Sequence, residues 1–380
     1  MLTEFQVKRY ESAHAQITQY LRGEIISGKW IPGSQLPPIK AMAQQFGTNY
    51  RTVHIALTPL VKEGLIVRVH GSGTYVRERP SQLVCAGIYH SINLWNNNAS
   101  RFSQSVSNAV QQLLAKEAID TAIMIDSRPE EKQTVPLPAL VQAIERREIQ
   151  CLIVGMVFPI SARAIERLPI PTSFSSDATT LPSFVTHDHK RMIHLALGEL
   201  KRLRCRTVGF VSHLHTNPVE QDRTFHHRNV AFYDAFRESA AALGMETRKE
   251  WIVAPEAYAG VSEQLGYDEF KKLWALPERP EGLFVFPDIL ARGVTVGIVE
   301  AGVRVPEELK LVFHRNAGVE FLSPLPVSWV EASADEFAEA LVAQIHRQLR
   351  GEKVEPIFLP HLLYPQGAEP TVLQLSGVPI

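Results

Sequence analysis

Tyr50, Arg51 and His54 stand together on a stretch whose apolar positions, Val53, Leu57, Leu60 and Val61, fall on a different face of a helix. Arginine at the start of a helix can contact guanine in bidentate fashion, and a helix N-terminus attracts phosphate. Further on, His70-Gly71-Ser72-Gly73 is a glycine-rich turn. No Gly-Lys-Ser/Thr follows and no helix begins there, so it is not a nucleotide phosphate loop. His187-Asp188-His189, His213 with His215, and His226-His227 could supply imidazole ligands. A third ligand at a defined spacing is lacking, and histidines of loops lining a cleft are the alternative, so no metal is expected. Neither G-x-S-x-G nor a dinucleotide fingerprint occurs, and no acid–base pair can be nominated. Neither an enzyme nor a cofactor is expected. Cys85, Cys151 and Cys205 are odd in number and widely spaced, which fits no disulfide framework and no zinc motif.

The elements that must position the Tyr50–His54 edge are written locally. Ile17, Leu21 and Ile25 form one stripe of a helix from about Ser12 to Ser27, with Gly28 at its end. Pro37 and Pro38 can open a short second helix carrying Met42, Ala43 and Phe46 inward and stopping at Gly47. Asn49 suits the N-cap of a third helix, which Gly64 ends. Pro59 inside that helix predicts a kink near Thr58. Strands Leu65–Val69 and Thr74–Val76 flank the glycine-rich turn as a hairpin. Three helices and a hairpin make a winged helix-turn-helix, in which the N-terminal residues of the third helix reach base edges.

The run LPPIKAMAQQFGTNYRTVHIALTPLVKEGL (residues 36–65) followed by VRVHGSGTYV (67–76), with EIISGKWIPGSQLP (24–37) ahead of it, resembles the DNA-binding domain of GntR-family regulators. By position, that resemblance implies DNA contacts from Lys40, Asn49, Tyr50, Arg51, His54, His70, Gly71 and Ser72. Tyr50 and His54 stand where the family usually has arginine, so the operator is expected to differ from the family's common one. A winged helix used only for protein contact is the alternative.

Of the 39 Lys and Arg and 40 Asp and Glu, ten and five fall in residues 1–79, leaving the head at +5 and the remainder at −6. A basic module on an acidic body suggests a head that binds a polyanion. At 380 residues the chain exceeds what one core organises, and 45% hydrophobic with 21% charged residues excludes a disordered or fibrous chain. No apolar run approaches the length of a membrane span, and no apolar region follows the basic residues near Met1. A cytoplasmic protein without membrane contact is expected.

After a polar linker at residues 78–82, strand-length runs at 83–88, 121–125, 151–154, 207–211, 251–253, 283–286 and 309–313 alternate with helical stretches. Alternating β and α elements predict parallel sheets covered by helices in two Rossmann-like lobes, with a ligand in the crevice at the strands' carboxyl ends. Trp95, Arg228, Asp288 and Arg315 lie at such ends.

DHKRMIHLALGELKRLRCRTVGFVS (188–212), RNVAFYDAFRESAAALGM (228–245) and LFVFPDILARGVTVGIVEAGVRVPEELKLV (283–312) resemble the effector-binding core of LacI/GalR repressors, which is shaped like a periplasmic binding protein. Joined to the head, this is a combination of the arabinose-repressor type. In the family an Asn-Asp pair stands where Pro287-Asp288 does, and an acidic turn stands where this chain has Phe313-His314-Arg315-Asn316. The resemblance implies effector contacts from Asn93, Trp95, Asn96, Arg228, Asp288, His314 and Arg315. With cationic or neutral groups replacing acids, a sugar acid or modified sugar is the expected effector. It also implies a homodimer on double-stranded DNA with a pseudo-palindromic operator.

The expected organisation is a DNA-binding head over 1–77, an effector-binding and dimerisation body over 83–365 and a tail over 366–380. Lobe one is expected over about 83–185 plus 315–331, and lobe two over about 186–314 plus 332–365. The functional expectation is a ligand-responsive transcriptional repressor. A sugar-sensing solute-binding protein is the alternative.

Overall fold

A computed structural model describes residues 12–26, 29–63, 65–69, 71–76, 83–91, 101–155, 157–175, 181, 183–213, 223–253 and 262–366. In the head, α1 (Ala13–Ile26) and α2 (Ile39–Gln45) pack on α3 (Tyr50–Lys62), and β1 (Ile66–Val69) pairs antiparallel with β2 (Gly73–Val76). Ile17, Leu21 and Ile25 bury against Val53, Ala56, Leu57 and Leu60. The buried Thr18 hydroxyl ties α1 to the Ala56 carbonyl of α3 at 2.8 Å. Gly47 sits at φ +61°, a conformation that suits glycine, and turns the chain from α2 toward α3. α3 is continuous through Pro59, three residues before its end, where few backbone bonds remain to be lost.

Lobe one is built from β3 (Cys85–His90), α4 (Arg101–Lys116), β4 (Asp120–Ile125), α5 (Pro138–Glu145), β5 (Cys151–Val154), α6 (Pro159–Glu166), β6 (Thr172–Phe174) and β7 (Val185–His187). Its parallel sheet has the order β4-β3-β5-β6, and a bridge from Ser175 to Val185 places β7 beside β6. The chain then crosses over into α7 (His189–Arg202), β8 (Val208–Ser212), α8 (Arg223–Ala242), β9 (Ile252–Val253), α9 (Glu263–Trp274), β10 (Gly282–Phe286), α10 (Asp288–Glu300), β11 (Lys310–Asn316) and β12 (Ser328–Ala332). It returns through α11 (Ala334–Leu349) and β13 (Ile357–Leu359) and ends in β14 (Leu362–Tyr364). The lobe-two sheet runs β14-β12-β11-β10-β8-β9, parallel except for the β12–β14 pair. Each sheet carries buried apolar clusters on both faces, the three-layer arrangement that alternation requires.

The lobes divide differently from the expectation. Residues 315–316 and 328–332 belong to the lobe-two sheet, because β12 pairs with β11 from Val312↔Ser328 to Asn316↔Ala332. α11 belongs to lobe one, where Phe337, Ala338, Leu341 and Ile345 bury against Val106, Ala109 and Val110 of α4. β13 joins β7 there, and only β14 returns to lobe two. An apolar run reports that a strand is buried but not which sheet it joins. Among the described residues, no helix is long and apolar enough to cross a membrane.

Candidate functional site

At the head, Asn49 Oδ1 accepts from the Thr52 backbone N–H at 2.9 Å and so caps α3. The capped end presents Tyr50, 58% exposed, and the exposed Arg51. The Tyr50 and His54 rings stack with centroids 6.2 Å apart. His54 is not a free reader: its Nε2 lies 3.0 Å from Arg68 Nη1, and Arg68 Nη2 donates to its carbonyl at 3.0 Å. Arg68 on β1 therefore belongs to the same exposed edge, and the sequence reading missed it. Lys40 is exposed on α2. At the hairpin tip Gly71 and Ser72 are exposed, with Gly71 at φ +72°. Ser72 Oγ is 2.7 Å from the Tyr75 hydroxyl, and its carbonyl accepts from Gln35 at 2.8 Å. His70 lies outside the described residues. The result is an exposed polar edge, with Arg51 and Arg68 on it, flanked by a braced wing.

In the body, the carboxyl ends of β10 and β11 meet the start of α10. Asp288 is the first residue of α10 rather than its N-cap, and only 8% of it is exposed. Its carboxylate accepts hydrogen bonds from the Asn316 side chain and the Ile289 backbone N–H. Burial nevertheless pushes this carboxyl above its usual range, against the pull of those bonds and of Arg292 and Arg101. Asn316 lies two positions along β11 from His314, so both project from one sheet face. His314 is buried with its ring 4.9 Å from that of Phe286. Burial lowers its basicity far below the usual histidine range, so the ring is neutral.

Arg315 projects from the opposite face, as strand alternation requires, and is not part of this group. Its Nε donates to Glu331 at 2.6 Å, and its guanidinium stacks over Trp329 and Tyr364. His314 and Arg315, adjacent on one strand, cannot both face a single ligand. Asn93, Trp95 and Asn96 lie outside the described residues; Arg228 falls within α8, and its side chain is not described.

On lobe one, a buried network braces the carboxyl edge of the sheet. Tyr89 donates to Asp126 at 2.8 Å, and Arg128 Nε donates to Asp126 at 2.8 Å. Gln133 donates to the Ser91 and Arg128 carbonyls and accepts from Ser161. His90, also buried, lies 3.0 Å from Ser107 Oγ, and burial lowers its pKa to about 4. Ser107 Oγ is already 2.9 Å from the Ser103 carbonyl, to which it donates, so His90 Nε2 donates to Ser107 and leaves Nδ1 a bare acceptor. No metal-holding group of three His, Cys, Asp or Glu side chains occurs among the described residues. Asp188, between two histidines, caps α7 by accepting from Arg191 N–H at 2.9 Å.

Comparison with known proteins agrees with this division of labour. Residues 13–76 match the model of bacterial regulatory proteins of the gntR family, and residues 197–363 match that of a periplasmic binding protein-like domain. The transcriptional repressor NagR of Bacillus subtilis is 37% identical over 73 residues, 19% of this chain and 30% of that protein. The repressor PurR of Mannheimia succiniciproducens is 26% identical over 130 residues, 32% of this chain and 37% of that protein. The chain thus spans well under half the length of either relative. A LacI transcriptional regulator from a Rhodococcus species superposes with a TM-score of 0.57 at 20% identity, covering 76% of this chain and 99% of that one. The lac repressor dimer bound to operator and the anti-inducer ONPF gives 0.58 at 15% identity, covering 76% and 94%. At such identities the likeness is one of fold. The chain thus joins a winged helix-turn-helix that matches the gntR-family model to a body that matches the periplasmic binding protein-like domain and shares its fold with LacI regulators.

Proposed function

We propose that this chain is a ligand-responsive, DNA-binding transcriptional regulator, a repressor whose hold on its operator is set by a small molecule in the crevice between the lobes. The observation that carries the reading is the capped, exposed start of α3, with Arg51 and Arg68 on one edge, in a chain whose body is a two-lobed α/β fold. The effector is a sugar held by Asp288 and Asn316, with Phe286 offering a ring face to its apolar side. Engagement of Arg315 by Glu331 withdraws the cation that favoured a sugar acid, so a neutral sugar is the better candidate. The chain acts as a homodimer on a pseudo-palindromic operator, because one winged helix reads too few base pairs alone. A thermal-shift screen of neutral sugars against sugar acids, followed by operator binding with and without each hit, tests the reading. A neutral sugar that raises Tm and changes operator affinity supports it. Stabilisation by sugars with no effect on DNA binding would favour a solute-binding protein.

A further inference from the structure

Three crossings join the lobes, at His187–His189, Ala332–Ala334 and Leu359–Leu362, and two of them carry histidines. Their rings form one continuous layer. His187 lies against Phe102 of α4 and Phe337 of α11, with centroids 5.2 and 5.0 Å away, and against His361 at 4.6 Å. His361 continues the layer to His314 at 5.7 Å, and His314 to Phe286 at 4.9 Å. His189 packs on Phe232 and Phe286 at 5.3 and 5.9 Å and lies 6.5 Å from His187 and 6.3 Å from His361. Four imidazoles thus fill the joint between the lobes.

We propose that this ring layer is a proton-operated latch at the hinge: the lobes keep the present arrangement while its imidazoles are neutral, and protonation drives them apart. The inference does not depend on which effector the crevice takes. A cation on His314 or His361 would lose its hydration without gaining a partner at Nδ1. His314 and His361 are buried, and among the described residues their Nδ1 atoms have no hydrogen-bond partner. The groups acting on these rings and on His187 are other histidines of the layer, so each added proton would also repel the next. Burial accordingly holds His314 and His361 far below the usual histidine range, and His187 at about 3 although its ring keeps some solvent contact.

Among the described residues, charges on the adjoining elements do not rescue a protonated ring. Asp188 caps α7, and Arg315 pairs with Glu331 on the other face of the sheet. Asp335 and Glu336 of α11 are exposed, and neither Arg101 of α4 nor Asp288 of α10 acts on the three rings.

The sign follows from proton counting. A ring released into water returns to a pKa near 6.5, so the present arrangement binds fewer protons than an opened one. Acidification below that value favours opening, by about tenfold per released ring at one pH unit lower.

The test uses the full chain with spin labels at Val135→Cys in lobe one and Val299→Cys in lobe two, both exposed positions. Inter-lobe distances are measured by pulsed electron resonance from about pH 8 to about pH 5, the range in which a free imidazole titrates. The expected result is one distance at high pH, replaced by a longer one on acidification, with unchanged far-ultraviolet circular dichroism and a steepness above one proton. His314→Phe and His361→Phe should each lower that steepness by about one proton. In the unmodified chain, NMR signals of the His314 and His361 rings should titrate together with the distance change. A distance that is constant with pH, loss of secondary structure in step with it, or rings that titrate near 6.5 without lobe movement would each overturn the proposal.

Discussion

Arg51 and Arg68 occupy one edge in different ways. Arg51 is exposed at the capped start of α3, whereas Arg68 spends two donors on His54. Arg51→Ala should therefore lower affinity for the specific operator by about 1–3 kcal/mol and relax discrimination at one base position. Arg68→Ala should free His54 and alter preference rather than abolish binding. Fluorescence anisotropy on operator and random duplexes separates these outcomes, and equal losses on both DNAs for Arg51→Ala would reduce it to a phosphate contact. In the crevice, Asp288→Asn removes a carboxylate that burial already disfavours. The sign is that of a raised carboxyl pKa: its relative stabilisation is present below the unfolded value and is lost as pH rises through the folded one. The variant should thus be no less stable than the parent near neutral pH, yet bind the proposed sugar effector at least about tenfold more weakly, since a charged hydrogen bond to a ligand hydroxyl is worth about 1.5–3 kcal/mol. Calorimetry with a hit from the sugar screen checks it; undiminished affinity would remove Asp288 from the site. Asp288 could be nominated from its place at a strand end. Asn316 could have been found by counting two along from His314, and the same count excludes Arg315. The His54–Arg68 pair, fourteen positions apart and across two elements, had no local signal.

At the scale of elements, the parts legible in the sequence were those whose physics is local. Asn49 as a cap, Gly47 as a turn and Pro38 ahead of α2 each act on the adjoining residues, and the head's elements appear within a residue or two of their expected bounds. The partner of a strand is a non-local matter, which is why β12 and α11 fall in the opposite lobes from those expected. The contact between α9 and α10 was likewise invisible. Gly266 meets the Leu290 backbone, and a Cβ at Gly293 would overlap the Glu263 carbonyl. Gly293→Ala should therefore force the helices apart and destabilise the chain by about 1–3 kcal/mol, despite alanine's better helix propensity. Gly198 of α7 has open space where a Cβ would go, so Gly198→Ala should stabilise by about 0.4–1 kcal/mol. Thermal unfolding of the two variants should move Tm in opposite directions. A neutral Gly293→Ala would mean that the helices can slide without loss.

At the scale of the whole molecule, the division of charge sets how the parts meet DNA. A +5 head on a −6 body attracts phosphate at one end and repels it at the other, so affinity should fall steeply with salt as counterions are recaptured. If two heads are held by one dimeric body, the second half-site is engaged at a high effective concentration. A duplex with both half-sites should then bind at least about a hundredfold more tightly than one with a single half-site, without any new kind of contact. The gain should depend on the spacing between half-sites, with matching positions lying on one face of the duplex about ten base pairs or a multiple apart. Inserting half a helical turn between them should cost most of the gain, because the second head then faces away. If a sugar closes the crevice, as proposed, it should act on this gain and leave single-half-site affinity nearly constant, since it would move the heads relative to each other and not the residues of α3. Anisotropy titrations on the three duplexes, with and without the sugar and alongside the mass in solution, decide the matter. A monomeric mass, or a single half-site bound as tightly as the pair, would defeat the dimeric reading, whereas a sugar effect equal on all three duplexes would place its action within each head.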